Sequence, residues 1–297
     1  MPQNIGGQAL DTITHTLFGL SLYGTVNKEK MDRRTRMAYL VTAVGASQIP
    51  DIDVISQLWD TEGLYQMWHR GLTHSIFLTP LWAALFYVLC LVFFKVKDRR
   101  LFFLGWLASI IHVTSDLFNA WGTGYLEPFS QMRITFGTIP IIDFVFWILI
   151  AGAYFLSRKK PIGNRPVYFR TAWILIALHV ALQSFQGYYF HQKYSHDYEQ
   201  VALSAGFIPT TFQVITKQDE KVTIYEDGIF QPKQTLYVLE SREDADLDYL
   251  FANNPAAKTL YEWSPFVVIV DDDEQIGVYD PRFYRQGQSF LFESFDR

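Results

Sequence analysis

Residues 75–94 read SIFLTPLWAALFYVLCLVFF, a run of 20 residues without a formal charge. A helix needs about 20 mostly apolar residues to cross the hydrocarbon core of a bilayer. Buried helices of a large soluble protein can also be apolar on all sides, but they rarely run this long without a charge. The stretch therefore predicts a transmembrane helix and places the chain among membrane proteins.

Other segments of the first 195 residues resemble this stretch. Three have a similar length and are interrupted by only one or two ionisable side chains: Leu101–Phe118, Ile134–Leu156 and Thr171–Phe190. Two shorter helical stretches, Asp11–Val26 and Met37–Pro50, could be short spans, re-entrant pieces or helices packed inside a bundle. We therefore predict an α-helical multi-pass membrane bundle of about six helices, of which four are long enough to span.

The charge distribution divides the chain in two. Residues 1–195 contain 17 Lys and Arg against 11 Asp and Glu, a net charge of +6, whereas residues 196–297 contain 8 against 19, a net charge of −11. A change of this kind usually marks a domain boundary. We therefore predict a transmembrane helical domain at residues 1–195 and an acidic soluble α+β domain at residues 196–297.

The basic residues also predict an orientation in the membrane. Fourteen of the first 17 lie in three loops, at residues 26–36, 95–100 and 158–170. If all six helices cross, these loops lie on one side, and the positive-inside rule makes that side cytoplasmic. The pattern predicts a protein of the cytoplasmic (inner) membrane whose C-terminal domain is extracytoplasmic.

Ionisable residues gather at the predicted outer ends of the helices. The motifs DTITHT, QIPDID, HRGLTH and HVTSD contribute four histidines and three aspartates there: His15, Asp51, Asp53, His69, His74, His112 and Asp116. Such residues are costly within a bilayer unless they are paired or solvated, so they indicate function. Each motif alone also fits a structural role, as a hydrogen-bonded His–Asp pair or a turn at a helix end.

Taken together, these seven residues predict a metal site. Asp11 and His15, like His112 and Asp116, are four residues apart, which puts both side chains on one helix face. Nitrogen and oxygen ligands suit Zn²⁺, Mn²⁺ or Fe²⁺, and the single cysteine, Cys90, excludes a disulfide framework and a thiolate site. The predicted cofactor is a divalent metal, with Zn²⁺ as the first candidate, bound as one ion or as two ions that share a carboxylate and act at phosphorus.

Four residues in or beside this set are candidates for a catalytic role. Asp53 or Asp143 could act as a general base, although Asp143 could equally be a ligand, a residue that orients a histidine, or a helix-packing hydrogen bond. Arg70 and Arg133 could bind phosphate bidentately, or pair with an aspartate of the site. His179 has no carboxylate near it in the sequence and is interpreted as structural.

The motifs DTITHTLFG, IPDID, HRGLTHS, HVTSD and IPIIDFVFW, taken together, resemble those of the YdjM-like family of LexA-regulated inner-membrane proteins. The resemblance covers roughly residues 10–160. It implies a membrane-bound metal-dependent hydrolase of phospholipase-like character, an activity that is itself a prediction for the family. It also implies that the family's polar positions fall on the seven predicted ligands, with Asp143 as a further aspartate.

The acidic C-terminal part lies outside this resemblance. Its β-branched and aromatic runs predict helices at residues 242–252 and 255–263 and five strands: Phe212–Thr216, Val222–Tyr225, Thr235–Glu240, Phe266–Val270 and Ile276–Tyr279. The run VVIVDDDEQIGVYD, residues 267–280, predicts a hairpin with an acidic turn. A domain of this charge should avoid nucleic acid and anionic lipid surfaces.

Three functions are compatible with the sequence. The first is a membrane-bound metal-dependent hydrolase that acts on a phosphoester or ester of a lipid at the extracytoplasmic face. The second is a divalent-metal transporter or sensor, whose ligands should be spread through the bilayer to the cytoplasmic side. The third is a non-enzymatic membrane scaffold with an outer interaction domain. The clustering of ligands favours the hydrolase, with membrane lipid as environment and possible substrate; the oligomeric state is left open.

Overall fold

The computed structural model describes residues 5–297, with side chains from Asp11 onward. Its helices are, in chain order, α1 (Ile5–Gly24), α2 (Arg33–Ala46), α3 (Tyr65–Trp68), α4 (Thr79–Leu89), α5 (Arg100–Ser115), α6 (Phe144–Arg158), α7 (Arg165–Ser195), α8 (Leu247–Asn253) and α9 (Pro255–Trp263). The chain divides into two compact units. The first comprises the described residues up to Asp53 together with 70–135 and 141–182, and the second comprises 54–69, 136–140 and 183–297.

Apolar helices dominate the first unit. Among the described residues, three helical segments are long and apolar enough to cross a membrane: Ile76–Phe94, Arg100–Phe118 and Ile162–Ser195. In the first and third of these, only 22% of the most apolar stretch is buried within the protein, so most of the apolar surface faces outward, as a lipid environment requires. This is the surface of a membrane protein, as the sequence predicted.

The prediction of four long spans is not confirmed. Within the predicted span Ile134–Leu156, the structure has only the 15-residue apolar helix α6. The helix begins late because the carboxylate of Asp143 accepts hydrogen bonds from the backbone N–H groups of Val145 and Phe146, which makes it the N-cap. Pro140, three residues earlier, cannot donate a helical hydrogen bond and disfavours a helical conformation before it.

Small residues bring the helices of the first unit close together. The core between α2, α4 and α5 includes Ala43, Ala46, Ala108 and Cys90. On α1, a Cβ atom added to Gly19 would lie 2.7 Å from the Cα atom of Val44 and 2.8 Å from the carbonyl oxygen of Ala43. In lipid, helices associate largely through such close packing. The backbone contact at Gly19 therefore fixes α1, which carries His15, against α2.

The second unit is rich in sheet. Its strands are β1 (Gln200–Ala205), β2 (Thr211–Gln218), β3 (Lys221–Gly228), β4 (Gln234–Glu240), β5 (Val268–Asp271), β6 (Gln275–Tyr279), β7 (Tyr284–Arg285), β8 (Gln288–Ser289) and β9 (Phe292–Asp296). They form antiparallel sheets in the orders β1-β2-β3-β4, β5-β6-β9 and β7-β8. Phe190 and Tyr194 of α7 pack with Phe212 and Val214 of β2 in one of its cores.

The sequence located the main strands but missed the outer ones. All five predicted strands are present, and the predicted acidic hairpin connects β5 to β6 through residues 272–274. The strands β1 and β9 were not predicted, because QVALSA and FESFD lack a run of β-branched residues. The helix predicted at residues 242–252 begins only at Leu247, because the Asp246 side chain accepts from the backbone N–H of Tyr249 and caps it.

Substitution of Gly19 tests the close approach of α1 and α2. We expect Gly19→Ala to lower the thermal unfolding midpoint of the detergent-solubilised protein, because overpacking of a tight interface costs about 1–3 kcal/mol. Gly152→Ala in α6 is the matched control, since an added Cβ there meets nothing within 4 Å among the described residues. It should leave the midpoint unchanged or slightly higher. Equal midpoints for the two variants would contradict the packing described here.

Candidate metal centre

The candidate ligands come from separate stretches of the first unit. The helix α1 carries two of them one turn apart, two come from 3-10 turns, and the C-terminal end of α5 carries the last two: Asp11, His15, Asp51, His74, His112 and Asp116. In the part of the chain whose side chains are described, they form three overlapping groups with the spacing of metal ligands: His15–Asp51–His112, His74–His112–Asp116 and Asp11–His15–Asp116. The helices and turns thus bring distant motifs to one place.

Four side-chain atoms face one another at the centre, and we call them the four-atom set: His74 Nε2, His112 Nε2, Asp51 Oδ1 and Asp116 Oδ2. His74 Nε2 lies 3.1 Å from His112 Nε2, 3.2 Å from the Asp51 oxygen and 3.4 Å from the Asp116 oxygen. His112 Nε2 lies 3.4 Å and 3.5 Å from the same two oxygens. Ligands bound at about 2.0–2.2 Å to a tetrahedral ion lie about 3.3–3.6 Å apart, so these five separations, which all involve a histidine nitrogen, are close to that spacing.

In each histidine of the four-atom set, the second ring nitrogen, Nδ1, faces an oxygen acceptor that orients the ring. His112 Nδ1 lies 2.7 Å from the carbonyl oxygen of Ser47 and must donate to it, which leaves Nε2 with its lone pair. His74 Nδ1 lies 3.3 Å from Asp53 Oδ2. A carbonyl or carboxylate that accepts from the second ring nitrogen is the usual support of a metal-bound histidine. Two Nε2 lone pairs 3.1 Å apart repel each other unless a proton or a cation lies between them.

The electrostatics of the protein without metal show how strongly this place favours positive charge. Burial lowers the pKa of His74, but hydrogen bonds to Asp51 and Asp53 outweigh it and raise the pKa to about 9. Burial raises the pKa of Asp51, but the charge and hydrogen bond of His112 and the hydrogen bond of His74 outweigh it and hold that pKa well below its usual range. A bound metal ion would displace the proton from His74, because a histidine ligand must be neutral.

Asp116 connects the four-atom set to a second group. Its other oxygen, Oδ1, lies 3.4 Å from His15 Nε2, which is 3.3 Å from Asp11 Oδ1. The rings of His15 and His112 stack with their centroids 3.7 Å apart. Neither nitrogen of the buried His15 ring meets hydrogen-bond geometry with a described residue, which is unusual for a buried polar group. A carboxylate that faces two histidine groups through different oxygens is suited to bridging two cations.

An arginine already supplies positive charge to the second group. Arg70 Nη2 hydrogen-bonds Asp11 Oδ2 and lies 3.6 Å from Asp116 Oδ1, while Nη1 donates to Asn119 Oδ1 at 2.8 Å. The Arg70 backbone N–H donates to Asp53 Oδ2 at 2.8 Å, and its φ of 55° is left-handed. Non-glycine residues rarely adopt this conformation, and it concentrates at functional sites. The guanidinium group thus partly neutralises Asp11 and Asp116.

The structure separates the predicted ligands into two classes. His15, Asp51, His74, His112 and Asp116 lie in the groups described above. The other two predicted ligands, Asp53 and His69, belong to none of the groups found among the described residues. Asp53 lies behind His74 and also accepts from the Thr73 hydroxyl at 2.9 Å, which is the place of an orienting residue. The buried His69 belongs to the second unit and stacks on Tyr65 at 5.2 Å.

One residue of the three ligand groups, Asp11, was not among the ligands predicted from the sequence. Asp11 lies with His15 and Asp116, and its spacing of four residues from His15 was the signal that could have identified it. The hydrogen bond from Arg70 to Asp11 had no such signal, because the two residues are 59 positions apart.

Asp143 forms a separate buried pair. Its Oδ1 caps α6 and its Oδ2 lies 2.8 Å from His179 Nε2. His179 has no carboxylate near it in the sequence, but the fold brings Asp143, 36 positions away, beside it. Of the three roles that the sequence left open for Asp143, this geometry is that of a hydrogen bond between helices.

Arg133 lies beside the site on a backbone hairpin. The neighbouring Ile134 pairs with Thr123 through two hydrogen bonds of 3.0 Å. Burial lowers the pKa of Arg133 to about 10, the charges of Glu127 and Asp53 oppose this effect, and Arg70 reinforces it. Arg133 is therefore within electrostatic range of Asp53 and Arg70.

Comparison with known proteins identifies relatives of the part that contains the site. The family profile of the YdjM inner membrane protein matches residues 10–190, a range that includes every group member. A protein of Bacillus subtilis (strain 168) named "Uncharacterized protein YfhP" is 32% identical over 142 residues. That alignment covers 46% of this chain and 43% of the Bacillus protein, so the match spans less than half of that relative. No solved structure matches the chain.

Removal of a histidine from the four-atom set should abolish metal binding. We expect elemental analysis of the detergent-purified protein to find about one equivalent of Zn, Mn or Fe, and we expect its loss in His74→Ala and in His112→Ala. His191→Ala is the control, because this exposed histidine bonds only locally to Ser195 in α7 and should leave the metal content unchanged. Full metal content in both site variants, or none in the wild type after reconstitution with each metal, would refute the assignment.

Asp51 and Asp53 should differ in their effect on affinity. Asp51→Asn removes a member of the four-atom set and should abolish binding. Asp53→Asn should weaken binding only about 10–100-fold, as is typical when a residue that orients a ligand is changed. Competition with a chelator of known affinity measures both. Equal losses for the two variants would show that Asp53 is itself a ligand.

Proposed function

Because this chain belongs to the YdjM inner membrane protein family, we propose that it is a membrane-bound metal-dependent hydrolase that cleaves a phosphoester of a lipid. The observation that carries the proposal is the four-atom set, in which each imidazole nitrogen lies 3.1–3.5 Å from the other nitrogen and from both carboxylate oxygens, close to the spacing of ligands on one ion. Two arginines lie beside it, and membrane lipid is the substrate most readily available to a membrane protein.

The side chains that would hold the ion fit a divalent metal. They are His74, His112, Asp51 and Asp116, a mixed nitrogen and oxygen set that suits Zn²⁺ first and Mn²⁺ or Fe²⁺ next. A divalent ion bound there supplies Lewis-acid chemistry, which polarises a phosphoryl oxygen and lowers the pKa of water. The carbonyl of Ser47 and the carboxylate of Asp53 keep both imidazoles turned toward the ion.

The arginines support a phosphorylated substrate over an acyl ester. An anion that approaches four aspartates is repelled unless positive groups face it. Arg70 is buried and its two Nη groups already bind Asp11 and Asn119, so it offsets the negative charge. The paired hydrogen bonds to phosphate oxygens are expected from Arg133. Arg133 is only partly buried, so it can reach a phosphate at the entrance to the site. A neutral carboxylic ester would not need either group.

We assign the proton transfer to Asp11. Its side chain is 14% exposed, whereas that of Asp116 is 2% exposed, and it is not a member of the four-atom set. Of the sequence-based candidates, Asp53 orients His74 and Asp143 caps α6 and faces His179. Asp11 is hydrogen-bonded by Arg70 through Oδ2, so its Oδ1 is the oxygen that would take the proton. In the proposed reaction Asp11 accepts a proton from water as the oxygen bonds to phosphorus, the bond from phosphorus to the alcohol oxygen breaks, and the alcohol takes up the proton.

The basic loops support an extracytoplasmic site. The helix α1 runs from Asp11 and His15 toward the basic loop at residues 26–36, and α5 runs from the basic loop at residues 95–100 toward His112 and Asp116. The ligands are therefore at the helix ends opposite to the basic residues, which favour the cytoplasm. A transport path would need ligands through the whole depth of the bilayer, and this clustering supports hydrolysis instead.

The proposal is tested by lipid hydrolysis in proteoliposomes that contain a panel of anionic and zwitterionic phospholipids. We expect release of a water-soluble phosphate product or of the headgroup, lost with a chelator or in His112→Ala and restored to the wild type by Zn²⁺. Arg133→Gln should raise KM about tenfold or more with unchanged metal content, and Arg133→Lys should recover part of the loss. Arg158→Gln, in a basic loop, should behave as wild type.

The outcomes distinguish the three functions. Bound metal without turnover of any lipid in the panel would reject the hydrolase and favour a metal sensor or transporter. Protein without metal that retains its fold would favour the scaffold, with the aspartates and histidines as an ion-pair network.

A further inference from the structure

Two neighbouring loops of the four-stranded sheet expose apolar side chains to their surroundings. They are the connection from β1 to β2 at residues 206–210, GFIPT, and the connection from β3 to β4 at residues 229–233, IFQPK. Four side chains in them are largely exposed: Phe207 (66%), Ile208 (63%), Ile229 (51%) and Phe230 (84%). We call these four residues the apolar tip.

The two loops lie side by side at one end of the sheet. Thr211 at the start of β2 pairs with Gly228 at the end of β3, and the backbone N–H of Ile229 donates to the carbonyl of Thr210 at 3.3 Å. The four side chains of the apolar tip therefore belong to one contiguous surface. Contiguous exposed apolar surface marks an interaction site more often than scattered apolar residues do.

The opposite end of the same sheet has the opposite character. There β2 connects to β3 through Asp219 and Glu220, within the sequence KQDEK at residues 217–221. Residues 196–297 carry a net charge of −11, yet the two apolar loops contain one charged residue between them, Lys233. The sheet is thus charged at one end and apolar at the other. Such a division is typical of an element that lies at a membrane surface.

A hydrogen bond fixes the depth of the apolar tip along α7. The backbone N–H of Thr210 donates to Oε1 of the buried Gln183 at 3.0 Å. Between Arg170 and Lys193, α7 contains no Lys, Arg, Asp or Glu. Gln183 lies about 20 Å after Arg170 and about 15 Å before Lys193 along the helix axis. The loops therefore meet α7 inside its uncharged stretch.

The exposed residues of α7 beside this contact agree with that depth. Phe185, Tyr188 and Tyr189 are exposed on the helix surface. Tyrosine is enriched where a membrane meets water, because its ring is apolar and its hydroxyl is polar. This part of α7 therefore has the composition of the interfacial layer.

We propose that the apolar tip inserts into the interfacial layer of the bilayer that α7 crosses. The apolar side chains would enter the boundary between headgroups and acyl chains, about 5–10 Å deep. The partner is the lipid surface, and the proposal holds whether or not the protein is a hydrolase.

Fluorescent labelling of the full chain in lipid nanodiscs tests the insertion. Single cysteines are introduced by Phe230→Cys and, as a second position in the tip, Ile208→Cys, with Glu220→Cys at the charged end as the control. The natural Cys90 is buried, so labelled wild type is the blank. An environment-sensitive label at positions 230 and 208 should emit at shorter wavelength and lose most of its intensity when the lipids carry nitroxide-labelled acyl chains. The label at position 220 should do neither.

Two results would overturn the proposal. Water-like emission at positions 230 and 208 would show that the loops are in solvent. Emission at shorter wavelength without quenching by the labelled lipid would show that protein covers the tip, for example a second copy of the chain. Because positions 208 and 230 are largely exposed, the substitutions should not disturb folding, and an unchanged thermal unfolding midpoint verifies this.

Discussion

The carboxylate of Asp116 is the group around which the first unit is organised. One oxygen faces the imidazoles of His74 and His112, and the other faces His15 and Arg70. A buried carboxylate is strongly destabilising unless it is paired, so α1 and residues 70–74 must converge on the C-terminal end of α5 to compensate for it. The close backbone contact of α1 with α2 at Gly19, and the alanine-rich core shared by α2, α4 and α5, hold these segments at the required distances.

The charges of the centre limit how many cations it can hold. Four aspartates, Asp11, Asp51, Asp53 and Asp116, are opposed by one guanidinium group, that of Arg70. With neutral histidines, three negative charges remain. One divalent ion leaves a single negative charge, whereas two ions would make the centre positive with Arg70 still in place. Because Arg70 already hydrogen-bonds Asp11, the charges favour one ion in the four-atom set, with Arg70 in the position that a second ion would take.

The sequence predicted what depends on composition and short spacing. Uncharged runs identify the membrane helices, and the His–Asp motifs at helix ends identify five members of the three groups, because residues four apart share a helix face. It could not predict the directions in which side chains point in the folded protein. Asp53 and Asp51 are two residues apart in one motif, yet the turn that carries them directs Asp51 to the front of His74 and Asp53 to its back. Likewise, nothing near Asp143 in the sequence shows that it caps α6 and bonds His179, which shortens the predicted span.

The position of the centre along the helices bears on its function. Its histidines and aspartates lie at one end of α1 and α5, and the opposite ends lead into basic loops. A pathway for ions needs successive sites of similar affinity, since a single deep site would retain the ion. The supports behind His74 and His112 instead fix both rings in the one orientation that suits a resident ion. An ion held in this way would have Arg70 beside it, and the proposed hydrolysis of a phosphoester agrees better with one resident ion than with a path for passing ions.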